Sequence, residues 1–374
     1  MSQLAHEFKS YGHDVAVVAN RYPRNLKRQE IIDGISVTRV LFPGFYLSSL
    51  SPSRIIKYVV TIMIGTANSL RLCFYLKNKR PDVVNIHFVG SQAPFTMFAS
   101  KLLSIKCVVS LHGDDVEGLP YRSRIDKWLF RKIVTASDHV TACSAYLLEE
   151  AKKLAPGIVS KSSVVHNGIR PEEFQNVQPY MHLRPYIFAA GRLVYKKGFD
   201  ILLDAYRRIL DKGLKVDLIL AGDGPEKKRL FALAADLGVS LVERDVSGVL
   251  SDGGSRRSNK IIFWGNAEKT DMRSLMKGCE LFVIPSRKEP FGIVALEAFA
   301  AEKKVVAARV GGLQEIVHED QGHRLVRPES VEDLAEGIVL VLRDNSGSGL
   351  CRLRGDTWTT VSMKYLDIFQ TIKK

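Results

Sequence analysis

Glu289 and Glu297 stand eight positions apart in one string, Glu280 to Ala301, and their surroundings give both carboxylates a task. Leu281 to Ile284 is a short apolar run and reads as a buried strand. Pro285 and Ser286 end it. Pro290 holds Glu289 extended and suits the first turn of a helix, which reads from Gly292 to Ala301. Glu289 then sits on a strand-to-helix loop, and Glu297 lies about one and a half turns into the helix. Both can face the crevice at the carboxyl edge of a parallel sheet, where α/β proteins bind ligands. The free N–H groups of Phe291, Gly292 and Ile293 point into the same space and attract a phosphate. A carboxylate beside them suits the vicinal hydroxyls of a ribose or a sugar, because it accepts two hydrogen bonds. The plainer alternative is an ordinary strand–loop–helix unit with two solvated carboxylates.

A second constellation follows the strand Tyr186 to Ala190, in Gly191-Arg192-Leu-Val-Tyr-Lys-Lys197-Gly198. Arg192 and Lys197 are fixed cations at a strand end, suited to a diphosphate through charge-assisted contacts. Lys196 is adjacent and could take the place of Lys197; a solvated basic loop is the bland alternative. The strand Lys215 to Leu220 leads into Gly222-Asp-Gly224-Pro225, but Lys227 stands where a dinucleotide site needs a third glycine, so an oxidoreductase reading is rejected.

In the N-terminal half, strands read at 14–19, 35–40, 82–88, 106–113, 139–144 and 163–166, and helices at 122–135 and 145–154. The strand from Lys106 ends in His112-Gly113-Asp114-Asp115, so His112 lies at the crevice; His87, also at a strand end, is the weaker alternative. Arg21 to Arg28 is a basic loop. Ile55 to Leu76 is apolar but interrupted by Lys57, Asn68 and Arg71, too short a clean run for a membrane-spanning helix, and reads as a buried or interfacial one.

The string Glu-Pro-Phe-Gly-x-x-x-x-Glu-Ala at Glu289 to Ala298 resembles the paired-glutamate motif of retaining glycosyltransferases, above all family 4 of the nucleotide-sugar-dependent enzymes. Gly-Arg, a short loop and Lys-Gly at 191–198 match the same family. The resemblance implies the α/β GT-B fold: two Rossmann-like domains facing across a cleft, with a last helix crossing back to the N-terminal domain. It divides the chain into 1–170, on the acceptor side; a linker at 171–185 with Pro171, Pro179 and Pro185; 186–355, which binds the nucleotide sugar; and a returning helix in 356–374, anchored by Trp358 and Tyr365. It implies that Glu297 holds the ribose diol, that Arg192 and Lys197 hold the diphosphate beside Phe291, Gly292 and Ile293, and that Glu289 holds sugar hydroxyls. Glu289, His112, Arg192 and Lys197 form the catalytic set it implies, His112 contacting the transferred sugar. The donor expected is UDP-, GDP- or ADP-linked, the acceptor a sugar or a lipid-linked alcohol, and no metal or other cofactor is expected. Three departures stand out. The strand and Gly-rich loop that come before the first helix in the family are missing, either because the chain starts late at an internal methionine or because this protein lacks the loop. Gln314 stands where the family has Pro, and Glu302-Lys303-Lys304 where it has a glycine in a tight turn. Ser251 to Asn259 reads as a mobile surface insertion.

Length and composition fit two globular domains, at 374 residues with 46% apolar and 25% charged. Cysteines 73, 107, 143, 279 and 351 are scattered, which fits free thiols in a reducing compartment and a cytoplasmic location, at the inner face of the membrane or away from it. The net charge of +14 is concentrated early: residues 1–170 carry 23 Lys and Arg against 12 Asp and Glu. Such a half expects an anionic partner, and peripheral contact with an anionic membrane fits a lipid-linked acceptor and cell-envelope, exopolysaccharide or glycolipid synthesis. Nucleic acid is not the expected partner, since the basic residues are not interleaved with aromatics on a sheet. Two other classes stay open: a glycosyltransferase-like protein that binds without turnover, and a polyanion-binding protein.

Overall fold

A computed structural model describes residues 2–22, 25–42, 52–244, 259–319, 322–344 and 355–374, with backbone alone at 52–62 and 64. Pro23 and Arg24 of the basic loop, Cys351 and all of the expected insertion but Asn259 lie outside the described residues. The chain divides into two compact units, Met1–Asn167 with Trp358–Lys374, and Gly168–Thr357.

In the first unit, α1 (Ser2–Ser10) leads to β1 (Ala16–Asn20), β2 (Gln29–Ile32) and β3 (Ile35–Val40). Then come α2 (Pro52–Lys79), β4 (Val83–His87), α3 (Ala93–Leu102), β5 (Lys106–Leu111), α4 (Asp114–Glu117), α5 (Arg124–Ala136), β6 (His139–Ala142), α6 (Ala145–Leu154) and β7 (Ser162–Val164). These strands form two sheets, β1-β3-β2 and the all-parallel β4-β5-β6-β7. Strand β2 was not anticipated. It pairs antiparallel with β3 through a turn at Asp33-Gly34, both at positive φ (49° and 77°), which is the Asp-Gly hairpin turn. The interrupted apolar run became a helix of 28 residues. Among the described residues, no helix is long and apolar enough to cross a membrane.

The second unit runs α7 (Glu172–Gln175), β8 (Tyr186–Ala190), α8 (Phe199–Asp211), β9 (Asp217–Ala221), α9 (Lys227–Asp236), β10 (Ser240–Glu243) and β11 (Lys260–Gly265). It continues with α10 (Lys269–Gly278), β12 (Leu281–Ile284), α11 (Ile293–Ala300), β13 (Lys304–Ala308), α12 (Leu313–Ile316), β14 (Arg324–Val326) and α13 (Val331–Arg343). Its seven strands form one parallel sheet in the order β10-β11-β9-β8-β12-β13-β14. All of β9 and β12 is buried, as a strand covered by helices on both faces must be, which is why Leu-Phe-Val-Ile carries no polar alternation. The chain leaves β8 in one direction for β9 and returns on its other side as β12. The order therefore reverses between β8 and β12, and a crevice opens there at the carboxyl ends.

The last helix, α14 (Trp358–Lys373), belongs to the first unit. Tyr365 and Val361 pack with Leu4, Phe8 and Val165, and the Tyr365 hydroxyl meets Ser110 Oγ at 3.0 Å and Thr141 Oγ1 at 3.1 Å. Of the five thiols, Cys73, Cys107, Cys143 and Cys279 are free, and burial pushes Cys107 and Cys279 up to about 12, so both stay protonated.

The glycine-for-glutamate departure falls on a helix stop. After α11, the Glu302 N–H donates to the Phe299 carbonyl at 2.9 Å and the Lys303 N–H to the Ala298 carbonyl at 2.9 Å. That is a Schellman cap, and it puts Glu302 at φ 61°, a left-handed position that glycine fills without steric cost. Glu302→Gly should raise the unfolding free energy by about 1 kcal/mol in denaturant melts; an unchanged or lower value would mean that side-chain contacts of Glu302 outweigh the backbone strain.

Candidate active site

At the carboxyl edge of the second unit, loops approach backbone to backbone. A Cβ on Gly198 (φ 67°) would lie 2.1 Å from the Pro285 carbonyl oxygen, and one on Gly222 (φ 142°) would lie 1.9 Å from that of Gly191. Gly224 (φ 159°) is held the same way against Leu193, whose carbonyl also accepts the Glu226 N–H at 3.0 Å. Thus the Gly-x-Gly after β9 serves to let the β8 loop pass. The Arg287 N–H donates to the Lys196 carbonyl at 2.8 Å, which ties that loop to the one after β12.

This packing brings two expected residues together. Lys197 Nζ donates to Glu289 Oε2 at 2.5 Å, and Glu289 is only 8% exposed. Its carbonyl accepts the Gly312 N–H at 3.0 Å; a Cβ on Gly312 would meet Phe291 Cα and the Pro290 carbonyl at 2.6 Å, so the loop after β13 is closed on this one as well. Arg192 is exposed, and its side chain makes no hydrogen bond or ion pair among the described residues. Gly292, at φ 104°, precedes the first residue of α11, with Phe291 buried behind it and Ile293 exposed. Glu297, half-buried in α11, is not part of the Lys197–Glu289 pair. Burial raises its pKa, and of its charged neighbours Arg273 and Lys269 on α10 lower it while Glu173 raises it. Arg273 is itself ion-paired to Glu173 and lies over the Phe174 ring at 5.8 Å.

Sequence reasoning missed two cations here. Arg287 grips Asp200 with two hydrogen bonds of 2.8 and 3.0 Å, reaches Glu329 at 2.8 Å and lies 4.0 Å from the centre of the exposed Tyr195 ring. It braces the loop that carries Glu289. Arg273 is the other, beside Glu297. The Ser-Arg-Lys before Glu289 was a visible signal for the first; the second sits one helix away and had none.

In the first unit, the two alternatives for the histidine turn out to be partners. His87 Nδ1 and His112 Nε2 are 2.9 Å apart, with the rings stacked at 5.2 Å. Phe88 follows at φ 62°, a strained conformation for an aromatic residue, and its ring lies 4.5 Å from that of His112. Below them the buried Asp115 carboxylate accepts the N–H groups of Gly113 at 2.8 Å, His112 at 3.2 Å and Val89 at 3.3 Å, while Asp114 is an exposed residue. Burial raises the Asp115 pKa against the pull of those donors. Burial holds His112 down at about 4 and His87 well below the usual imidazole value, so the pair is neutral at pH 7, one ring donating and the other accepting.

Lys197→Ala should cost about 3 kcal/mol of stability in denaturant melts, because it strands a buried carboxylate; Lys197→Ala/Glu289→Gln should recover most of it. Equal losses in the two variants would refute a pair of that kind. The folded protein binds protons at His112 more weakly than the unfolded chain does, so stability falls as pH drops from about 6.5 to about 4. His112→Gln should lose part of that acid slope in thermal melts across the same range, and an identical slope would contradict the assignment.

The residues of the second unit and the chain before it match two established families. The model for glycosyl transferases group 1 matches residues 184–344, and that for glycosyltransferase family 4 matches residues 1–173. An uncharacterized glycosyltransferase of Methanocaldococcus jannaschii is 27% identical over 91% of this chain and 83% of its own length. A putative teichuronic acid biosynthesis glycosyltransferase of Bacillus subtilis is 29% identical over 69% of this chain and 60% of its own. The Anabaena HepE structure, in complex with UDP and glucose, has 19% identity and a TM-score of 0.66 over 90% of this chain and 87% of that one, a likeness of fold. The two α/β units, the sheet reversal and both family matches agree: the chain belongs to the family 4, group 1 glycosyltransferases of GT-B fold.

Proposed function

We propose that this protein transfers a hexosyl group from a nucleoside-diphosphate sugar to an alcohol acceptor with retention of anomeric configuration. The observation that carries the reading is the 2.5 Å contact of Lys197 with Glu289 at the reversal between β8 and β12, on the same loop as Arg192, whose side chain has no partner among the described residues. Arg192 and Lys197 take the diphosphate, with the N–H groups of Phe291, Gly292 and Ile293 beside it. Glu289 takes sugar hydroxyls and Glu297 the ribose diol. As the bond from the anomeric carbon to the phosphate oxygen breaks, charge grows on that oxygen and the two cations stabilise it. The acceptor oxygen bonds to the same face of that carbon, and its proton passes to the departing phosphate. The family resemblance also gives His112, paired with His87 within the first unit, a contact with the transferred sugar. The scheme calls on no metal.

The UDP and glucose in HepE favour a UDP-linked hexose, the teichuronic acid biosynthesis role of the Bacillus relative favours an envelope polysaccharide, and the basic first half of the chain favours a lipid-linked acceptor at the inner face of a membrane. A second reading, donor binding without turnover, is favoured by the division of the first unit into two sheets, which leaves β4, the strand that ends in His87, at an edge.

Calorimetric titration with UDP, GDP and ADP is the first test. One nucleotide should bind, and Arg192→Ala and Glu297→Ala should each weaken it about tenfold or more. No binding to the folded protein would sink both readings. Binding without transfer from a panel of sugars would select the second, and a product of inverted configuration by NMR would overturn retention.

A further inference from the structure

The outer helix layer of the first unit is apolar where a solvated surface would be polar. Helix α3 packs between α2 and α5, and Gly65 of α2 lies so close to Phe95 of α3 that a Cβ there would come within 2.9 Å of the ring. The inner faces of the three helices bury Leu72 and Leu76, Met97 and Ala99, and Phe130 and Ile133. Their other faces expose Leu70 and Phe74 on α2, Phe98 and Leu102 on α3, and Ile125 and Trp128 on α5. Each pair is three or four positions apart and so shares one side of its helix. Single exposed apolar residues need no explanation, but a band across three packed helices does.

Charge says what the band faces. The part of α2 whose side chains are described carries Arg71, Lys77 and Lys79, α3 carries one Lys and α5 four Lys or Arg, against one acid, Asp126. That acid is spent on the capping box of Ser123. Where α2 and α3 end, a cavity of about 510 Å³ is lined by Lys77, Arg80, Lys106 and Lys373, with Asp82 its one acid, held by Lys373 at 2.7 Å. The side chains of Lys77 and Arg80 have no hydrogen-bond or ion-pair partner among the described residues.

We propose that this face docks on an anionic phospholipid bilayer. Phe74, Phe98, Leu102 and Trp128 enter the boundary between headgroups and acyl chains, the surrounding cations meet lipid phosphates, and the basic cavity takes one headgroup. Aromatic and aliphatic side chains ringed by Lys and Arg are what interfacial binding requires, and the two contributions add. The proposal deepens the membrane part of the functional reading and rests on it; the donor site in the other unit is independent of it.

The test is co-sedimentation of the full chain with phosphatidylglycerol-containing vesicles and with pure phosphatidylcholine vesicles. Binding should need phosphatidylglycerol and fall with salt. Phe98→Ser/Leu102→Ser and Lys77→Gln/Arg80→Gln should each weaken it about tenfold. Trp128 should shift its emission to the blue on binding, since Trp264 is buried already and Trp358 packs in the α1–α14 cluster. Trp128→Phe should abolish the shift. If the wild type binds but the variants bind equally well and Trp128 does not shift, this surface is overturned while membrane contact stands. If the wild type ignores both vesicles, both fall. Nucleotide binding by the same preparations reports folding in either case.

Discussion

Backbone pressed on backbone is the constraint on which the candidate site of the second unit depends. Gly198, Gly222 and Gly224 let three strand-end loops interlock at distances that no Cβ would survive, and Gly312 closes a fourth. None of these glycines needs to touch a ligand. They fix where the β8 and β12 loops lie, so that Lys197 and Glu289 meet with little freedom left to either. Arg287 adds a second brace from Asp200 and Tyr195. A site built in this way is held in place before anything binds.

The first unit reaches order by a different route, a chain of hydroxyls and rings. Tyr365 on α14 donates to Ser110 on β5, and Ser110 donates to Asn85 on β4. Asn85 is two residues before His87, which meets His112 at the end of β5. Tyr365 therefore tethers the last helix of the sequence to the two strands that carry the histidine pair, while Asp115 gathers the N–H groups that follow them. Hydrogen bonding inside a buried region makes such groups costly to leave half-satisfied, so the helix and the strands stand or fall together.

Much of this was legible in the sequence because it was written in local terms. Apolar runs such as Leu281 to Ile284 have one reading, and the Glu289 string and the Gly-Arg…Lys-Gly loop resemble a family on their own. The hairpin at Asp33-Gly34 carried a legible turn signal, but it was hidden by the basic residues before it. What the sequence did not disclose are contacts between distant segments. Lys197 with Glu289 spans 92 positions and His87 with His112 spans 25, and no periodicity encodes either. Two histidines read as alternatives turned out to be one unit, and Arg273 was invisible because its only mark is the neighbour it acquires on folding. The exposed band on α2, α3 and α5 was hidden for the same reason: composition gives the charge but not which face shows it.

The division of the first unit into β1-β3-β2 and β4-β5-β6-β7 has a consequence for the behaviour of the chain in solution. Two sheets have four edges where one has two, and an edge strand offers a row of free N–H and C=O groups. Strand β1, Ala-Val-Val-Ala-Asn, has no lysine, proline or charge to repel a newcomer, and β4, Val-Val-Asn-Ile-His, has none either. Both lend a valine to one apolar cluster, and beside it the Asn85 Nδ2 group is buried with nothing to donate to. These edges are templates for strand exchange. Among the described residues nothing pairs with the outer sides of β1 and β4, so an extended segment of another chain would find two rows of backbone donors and acceptors there.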